Sequence, residues 1–271
     1  MFKKSSKIFL SFVFIFSVLF APYVSSVSVS AATQIFDYKE LDRGLISVNY
    51  QVNKDVQTKV MIAKDDKKYF YNLKSADNFP LQFGNGEYTV AVLELVEGNK
   101  YKAVKLEKVT LHLTNENDVF LNSIQNIKWN EEMEAIKKAK ELTKDAKTDR
   151  EKVTAIYNYI VKHINYDYDK ANTITTGYIP VIDETFKEAD GICYDYASLF
   201  AAMLRSVQVP TKLVMGYKND IKSYHAWNTV YLKDTNEWIT IDTTYDATLL
   251  DNKQPYSMIK DPGQYTADKE Y

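Results

Sequence analysis

The sequence predicts an α+β protein. A small all-β sandwich domain is followed by a domain in which a helix carrying the only cysteine packs on an antiparallel sheet. Three observations predict it. Apolar residues alternate with period two from about residue 34 to 115, the period turns helical near residue 120, and two strand-like runs follow a helix that opens beside Cys193. The expected division is a signal peptide over 1–32, an immunoglobulin-like β-sandwich over 33–118 and the second domain over 119–271.

Lys3, Lys4 and Lys7 precede an apolar run from Ile8 to Phe20 broken only by Ser11 and Ser17. Small residues then lead to Ser30-Ala31-Ala32. This order is that of a secretory signal cleaved after Ala31 or Ala32. The apolar core is short for a membrane span, so a retained anchor is the lesser alternative. The mature chain is expected to be secreted or associated with the cell surface or cell wall, with no stable membrane anchor. Of 34 basic residues three lie in the signal, leaving 31 against 36 acidic ones. The two signs are interleaved along the chain, which argues against a nucleic-acid partner. One cysteine in an exported chain cannot close an intramolecular disulfide, so apolar cores must hold the fold.

In the first half, Ile46, Val48, Tyr50 and Val52 put apolar groups on one face and Ser47, Asn49 and Gln51 on the other. Tyr88, Val90 and Val92 alternate with Thr89 and Ala91 in the same way. Turn clusters at 53–55, 65–67, 84–86 and 97–99 separate short antiparallel strands. His112, between Leu111 and Leu113, is expected on an outer face without a functional role. Asn130 is then expected to cap a helix whose stripe is Met133, Ile136, Ala139 and Leu142. Thr148 and Glu151 predict a capping box for the next helix, with Val153, Ile156, Tyr157, Ile160 and Ile164 on one side. His163 lies beside that stripe and reads as a packing or solvated residue. Residues 165–190 show no clear period and are expected to form a loop lining a cleft.

Helical spacing returns at Ile192, Tyr196, Leu199, Phe200, Met203, Leu204 and Val207, and Pro210 lies beyond the end. Entry at Asp190-Gly191 places Cys193 in the first turn, where unpaired amides and the helix dipole favour an anion. Cys193, Ala197 and Ala201 form a small-residue stripe that permits close approach to a sheet. A buried, inert thiol is the plainer reading of a lone cysteine, and the residues downstream weigh against it. Strands are expected over 212–217, 224–232 and 238–244, the last two joined by a turn at 234–236. Antiparallel pairing brings His225 near Asp242, within a register uncertainty of one or two residues. A thiol, an imidazole and a carboxylate then converge as in an activated cysteine nucleophile.

Gly191-Ile192-Cys193-Tyr194-Asp195-Tyr196-Ala197, His225-Ala226-Trp227-Asn228 and Asp242-Thr243-Thr244 resemble the core motifs of the transglutaminase-like superfamily, which contains transglutaminases and papain-like thiol hydrolases. The resemblance spans roughly residues 120–250, with Lys152-Val153 and Tyr166-Asp167-Tyr168 included. It implies a papain/transglutaminase-like catalytic domain with Cys193 as nucleophile, His225 as its base and Asp242 orienting and charging the histidine. A second oxyanion donor in this class is often an upstream Gln or Trp. Neither occurs between Tyr166 and Gly191, which leaves Tyr178 or a backbone amide. Trp227 and Tyr194 are expected to line the cleft.

The implied activity is that of a secreted cysteine acyl transferase or hydrolase acting on extracellular protein or cell-wall peptide amides. The alternative is a weak or inactive fold of the same class serving as an extracellular binding or scaffold protein. One cysteine and three scattered histidines offer no zinc spacing, and there is no twelve-residue calcium loop, so no cofactor or metal is expected.

Overall fold

Alternating apolar residues in the first half form two antiparallel sheets with one shared core. The computed structural model describes residues 34–175 and 177–271, so the expected signal peptide lies outside the described residues. Strands β1 (Phe36–Asp37), β2 (Leu45–Val48), β3 (Thr58–Lys64), β4 (Lys67–Asn72), β5 (Asp77–Pro80), β6 (Gly86–Glu97) and β7 (Lys100–Leu111) follow in chain order. One sheet has the order β1-β2-β5 and the other β4-β3-β6-β7, every pair antiparallel. Phe36, Ile46, Val48 and Phe79 from the first sheet share their core with Val60, Ile62, Tyr88 and Val90 from the second. His112 is exposed just past β7.

The second half opens with two helices, α1 (Glu134–Thr143) and α2 (Asp149–His163). Helix α1 starts later than its expected Asn130 cap. Asn130 closes only a local turn, accepting from the Glu132 N–H. The first amides of α1 donate instead to Asp183, at 3.2 Å from Glu134 and 3.1 Å from Ala135, so its cap comes from a remote element. The capping box of α2 forms as its spacing requires, with Thr148 and Glu151 bonded reciprocally.

Residues 165–190 are ordered rather than a plain loop. They hold β8 (Asn165–Tyr166), α3 (Tyr168–Thr173), α4 (Ile182–Glu188) and the start of β9 (Asp190–Gly191). These pieces are too short to show a period. Parallel pairing of Tyr166 with Gly191 fixes this segment beside the next helix.

That helix, α5 (Cys193–Ser206), is buried almost throughout from Asp195 onward, as expected of an apolar helix at the centre of a domain. Strands β10 (Thr211–Lys218), β11 (Ile221–Leu232) and β12 (Glu237–Ile241) form antiparallel pairs against it. The third strand stops at Ile241, three residues short of its expected end, and α6 (Thr243–Asp251) follows with Asp242 as its cap. The tail adds β13 (Ile259–Lys260) and β14 (Tyr265–Glu270), giving the sheet order β13-β12-β11-β10-β14.

Strand β14 approaches β10 closely at Gly216. A Cβ there would stand 2.1 Å from the Thr266 carbonyl and 3.0 Å from the Trp227 ring, so only glycine fits. Residues Gln34–Tyr271 form one compact unit. Its two halves meet through aromatic packing of Tyr69 and Tyr71 on Tyr271 and of Phe120 on Trp238. At the same junction Arg205, fully buried, donates to the carbonyls of Asn122 (2.7 Å), Thr211 (2.9 Å) and Tyr271 (2.9 Å).

Candidate active site

Cys193 is the first residue of α5, where the helix leaves its leading amides without intrahelical partners. Two features set that start. The Asp195 carboxylate reaches back to accept the Ile192 N–H at 2.9 Å. Gly191 permits this, since a Cβ there would lie 2.6 Å from the Asp195 Cβ. Asp195 is itself fully buried and paired with Lys170 at 2.9 Å. The Tyr178 hydroxyl donates to it at 2.5 Å. That bond corrects the expectation of Tyr178 as oxyanion donor: its proton is committed to Asp195, one turn into the helix.

The sheet delivers the other two groups. In the β10–β11 register His225 stands opposite Gly216, and β11 pairs with β12 from Asn228–Ile241 onward. Asn228 is buried and donates to the Ala197 carbonyl at 2.9 Å and to the Lys212 carbonyl at 3.1 Å. The small-residue stripe of α5 thus lets a side chain on the sheet grip the helix backbone, which holds the thiol against the histidine.

Asp242 is fully buried and has two duties. Oδ1 accepts from the Tyr245 N–H at 3.0 Å, capping α6, and Oδ2 accepts from His225 Nε2 at 2.8 Å. The Tyr265 hydroxyl of β14 donates to the same Oδ2 at 3.2 Å. With Nε2 so engaged, Nδ1 is the ring nitrogen left for the Cys193 thiol. Burial by itself pulls the His225 pKa down. The Asp242 charge and hydrogen bond, followed by the Cys193 contact, more than reverse this and raise it to about 10. Trp227 stacks behind the imidazole at 6.2 Å and packs in turn on Tyr265 at 5.0 Å.

The thiol and the imidazole share the wall of a cavity of about 560 Å³. Tyr166, Tyr168, Tyr224 and Tyr245 supply most of its aromatic surface. Trp227 and Tyr194 do not line it, which corrects that expectation. Trp227 is 2 % exposed behind His225, and Tyr194 turns into the core beside Tyr178. Tyr166 and Tyr168 belong to the Tyr166-Asp167-Tyr168 stretch noted in the sequence, whereas Tyr224 and Tyr245 come from β11 and α6 and no local pattern singles them out. His163 stacks on Tyr159 at 4.4 Å and takes no part in the site. Among the described residues, no cluster of His, Cys, Asp and Glu could hold a metal ion.

A cysteine on a helix tip thus faces an imidazole braced by a buried carboxylate on an antiparallel sheet. Residues 136–243 match the family model of the transglutaminase-like superfamily. It is 32 % identical over 127 residues to human kyphoscoliosis peptidase, covering 41 % of this chain and 18 % of that protein. It is 29 % identical over 166 residues to the UPF0252 protein MJ1282 of Methanocaldococcus jannaschii, covering 57 % of this chain and 46 % of that one. The chain therefore spans less than half the length of either relative. A solved structure of a candidate cysteine protease from Cytophaga hutchinsonii aligns over 84 % of this chain and 75 % of that one, with TM-score 0.46 and 16 % identity.

Proposed function

We propose that this chain is a cysteine-dependent acyl transferase or hydrolase that forms a Cys193 thioester with protein or peptide amides. The observation that carries the proposal is the run of contacts from the thiol through His225 to buried Asp242 at the wall of an accessible cavity. An imidazolium favours the thiolate beside it. The thiolate attacks the amide carbonyl, the C–N bond breaks, and His225 Nδ1 gives its proton to the leaving amine. Water or a second amine, losing its proton to the same nitrogen, then opens the thioester and releases the thiolate. Water makes the protein a peptidase or amidase, and a lysine amine makes it a crosslinking transglutaminase. The signal-like first 32 residues support an exported enzyme, secreted or held at the cell surface or wall, with extracellular protein or cell-wall peptide as substrate.

The oxyanion needs two donors. The Cys193 amide, at the first helical position, supplies one. Tyr166 supplies the other in this reading. It lines the cavity with Cys193, is held next to Gly191 by strand pairing, and its hydroxyl has no hydrogen-bond partner among the described residues.

Mass spectrometry of the mature chain after incubation with a glutamine-containing peptide tests the reading. An acyl adduct on Cys193, removable by hydroxylamine and missing in Cys193→Ala, is the expected result. Tyr166→Phe should form it about a hundredfold more slowly. Peptide bound equally by both proteins, with no adduct in either, would make the domain a binding module instead.

A further inference from the structure

The cavity beside Cys193 carries no charge beyond the Cys193–His225 pair itself. Among the described residues, no Asp, Glu, Lys or Arg lines it, and His225 is its only ionisable base. Tyr166 and Tyr168 meet edge to face at 4.8 Å on one side. Tyr224 and Tyr245 also line it, and their hydroxyls are committed elsewhere. Tyr224 donates to Asp268 at 2.8 Å, and Tyr245 donates to Asp220 at 2.8 Å. Asp220 is in turn paired with buried Lys218. These two rings therefore offer the cavity carbon rather than hydrogen bonds. Ile174, Ile192 and Ile221 complete the apolar surface.

Water leaves these rings and aliphatic groups readily, whereas a charged group entering among them loses hydration and meets only neutral polar groups, those of Tyr166, Asn172, Ser223, Thr244 and Thr248. An apolar or aromatic side chain gains both burial and ring contacts there. We propose that this cavity is the subsite for an uncharged, apolar or aromatic side chain of the acyl-donor peptide, next to the bond that Cys193 attacks. The inference rests on the thioester reading above and narrows its substrate. Peptides with a free carboxylate or ammonium at that position are disfavoured, acidic cell-wall peptides included.

The test compares alkylation of the mature protein by acetyl-glycyl-Xaa chloromethyl ketones, with Xaa as Leu, Phe, Asp or Lys. Each rate is divided by that of iodoacetamide, which carries no side chain. The Leu and Phe probes are expected to exceed the Asp and Lys probes by about tenfold or more. Tyr168→Asp, at a wall residue 65 % exposed and so replaceable without unfolding, should shift the preference towards the Lys probe. Equal rates for all four, or an Asp or Lys preference in the unaltered protein, would overturn the subsite. If iodoacetamide itself fails to react, the thioester reading falls separately. Calorimetry of the corresponding four acetyl-glycyl-Xaa amides with Cys193→Ala then decides the subsite by the same ranking.

Discussion

Asp242→Asn is expected to lower turnover by about 10⁴-fold while the fold survives. Asparagine keeps an oxygen for the Tyr245 amide, so α6 retains its cap. It cannot keep the negative charge that raises the His225 pKa to about 10, nor accept a proton bond with both of its atoms. The amide nitrogen turned towards Nε2 makes that nitrogen an acceptor, which leaves the ring proton on Nδ1, facing the thiol. The imidazole then has no lone pair for Cys193. The magnitude is that of the same change in serine-protease triads. Steady-state rates with a peptide amide, alongside thermal melting, separate lost chemistry from lost structure.

The largest stability effect is expected at Arg205, far from the chemistry. Its guanidinium is wholly buried and holds three carbonyls from three segments: the connection before α1, the start of β10 and the tail. Burial pushes its pKa down, yet a guanidinium stays charged at neutral pH. Arg205→Ala removes five donors and opens a void at the junction of the two halves. A loss of about 3 kcal/mol or more follows from the orphaned acceptors and the cavity together. A shift of the urea midpoint measures it. A change within about 0.5 kcal/mol would mean that water replaces the side chain and that the junction does not depend on it.

The parts of the site that were legible in the sequence are those written in local spacing. Cys193 falls in the first turn of a helix because Asp190-Gly191 precedes a run of helical spacing, and His225 sits on an alternating strand. The capping box at Thr148 is equally local. What could not be read depends on partners distant in the chain. Strand pairing brings Asp242 to His225 in the sequence reading, but its capping of α6 is hidden behind a strand expected to run on to residue 244. Asp183 caps α1 from 49 residues away, a service no motif announces. Tyr178 as oxyanion donor, and Trp227 and Tyr194 as cleft residues, follow from their places in or near the motifs. Burial and hydrogen bonding send Tyr178 to Asp195 and the other two inward. The tail was silent in sequence because its six-residue strand β14 is mostly exposed and shows no period, though it brings Tyr265 to Asp242.

The central claim is that Cys193 and His225 act as one charged pair, and the pH dependence of Cys193 alkylation by iodoacetamide in the mature protein tests it most directly. A histidine with its pKa raised to about 10 stays protonated through neutral pH and supports a thiolate beside it. The account predicts labelling that remains fast near pH 6 and falls sharply in His225→Ala. Labelling that appears only near pH 8.5, the range of an ordinary thiol, and is the same in both proteins would contradict it.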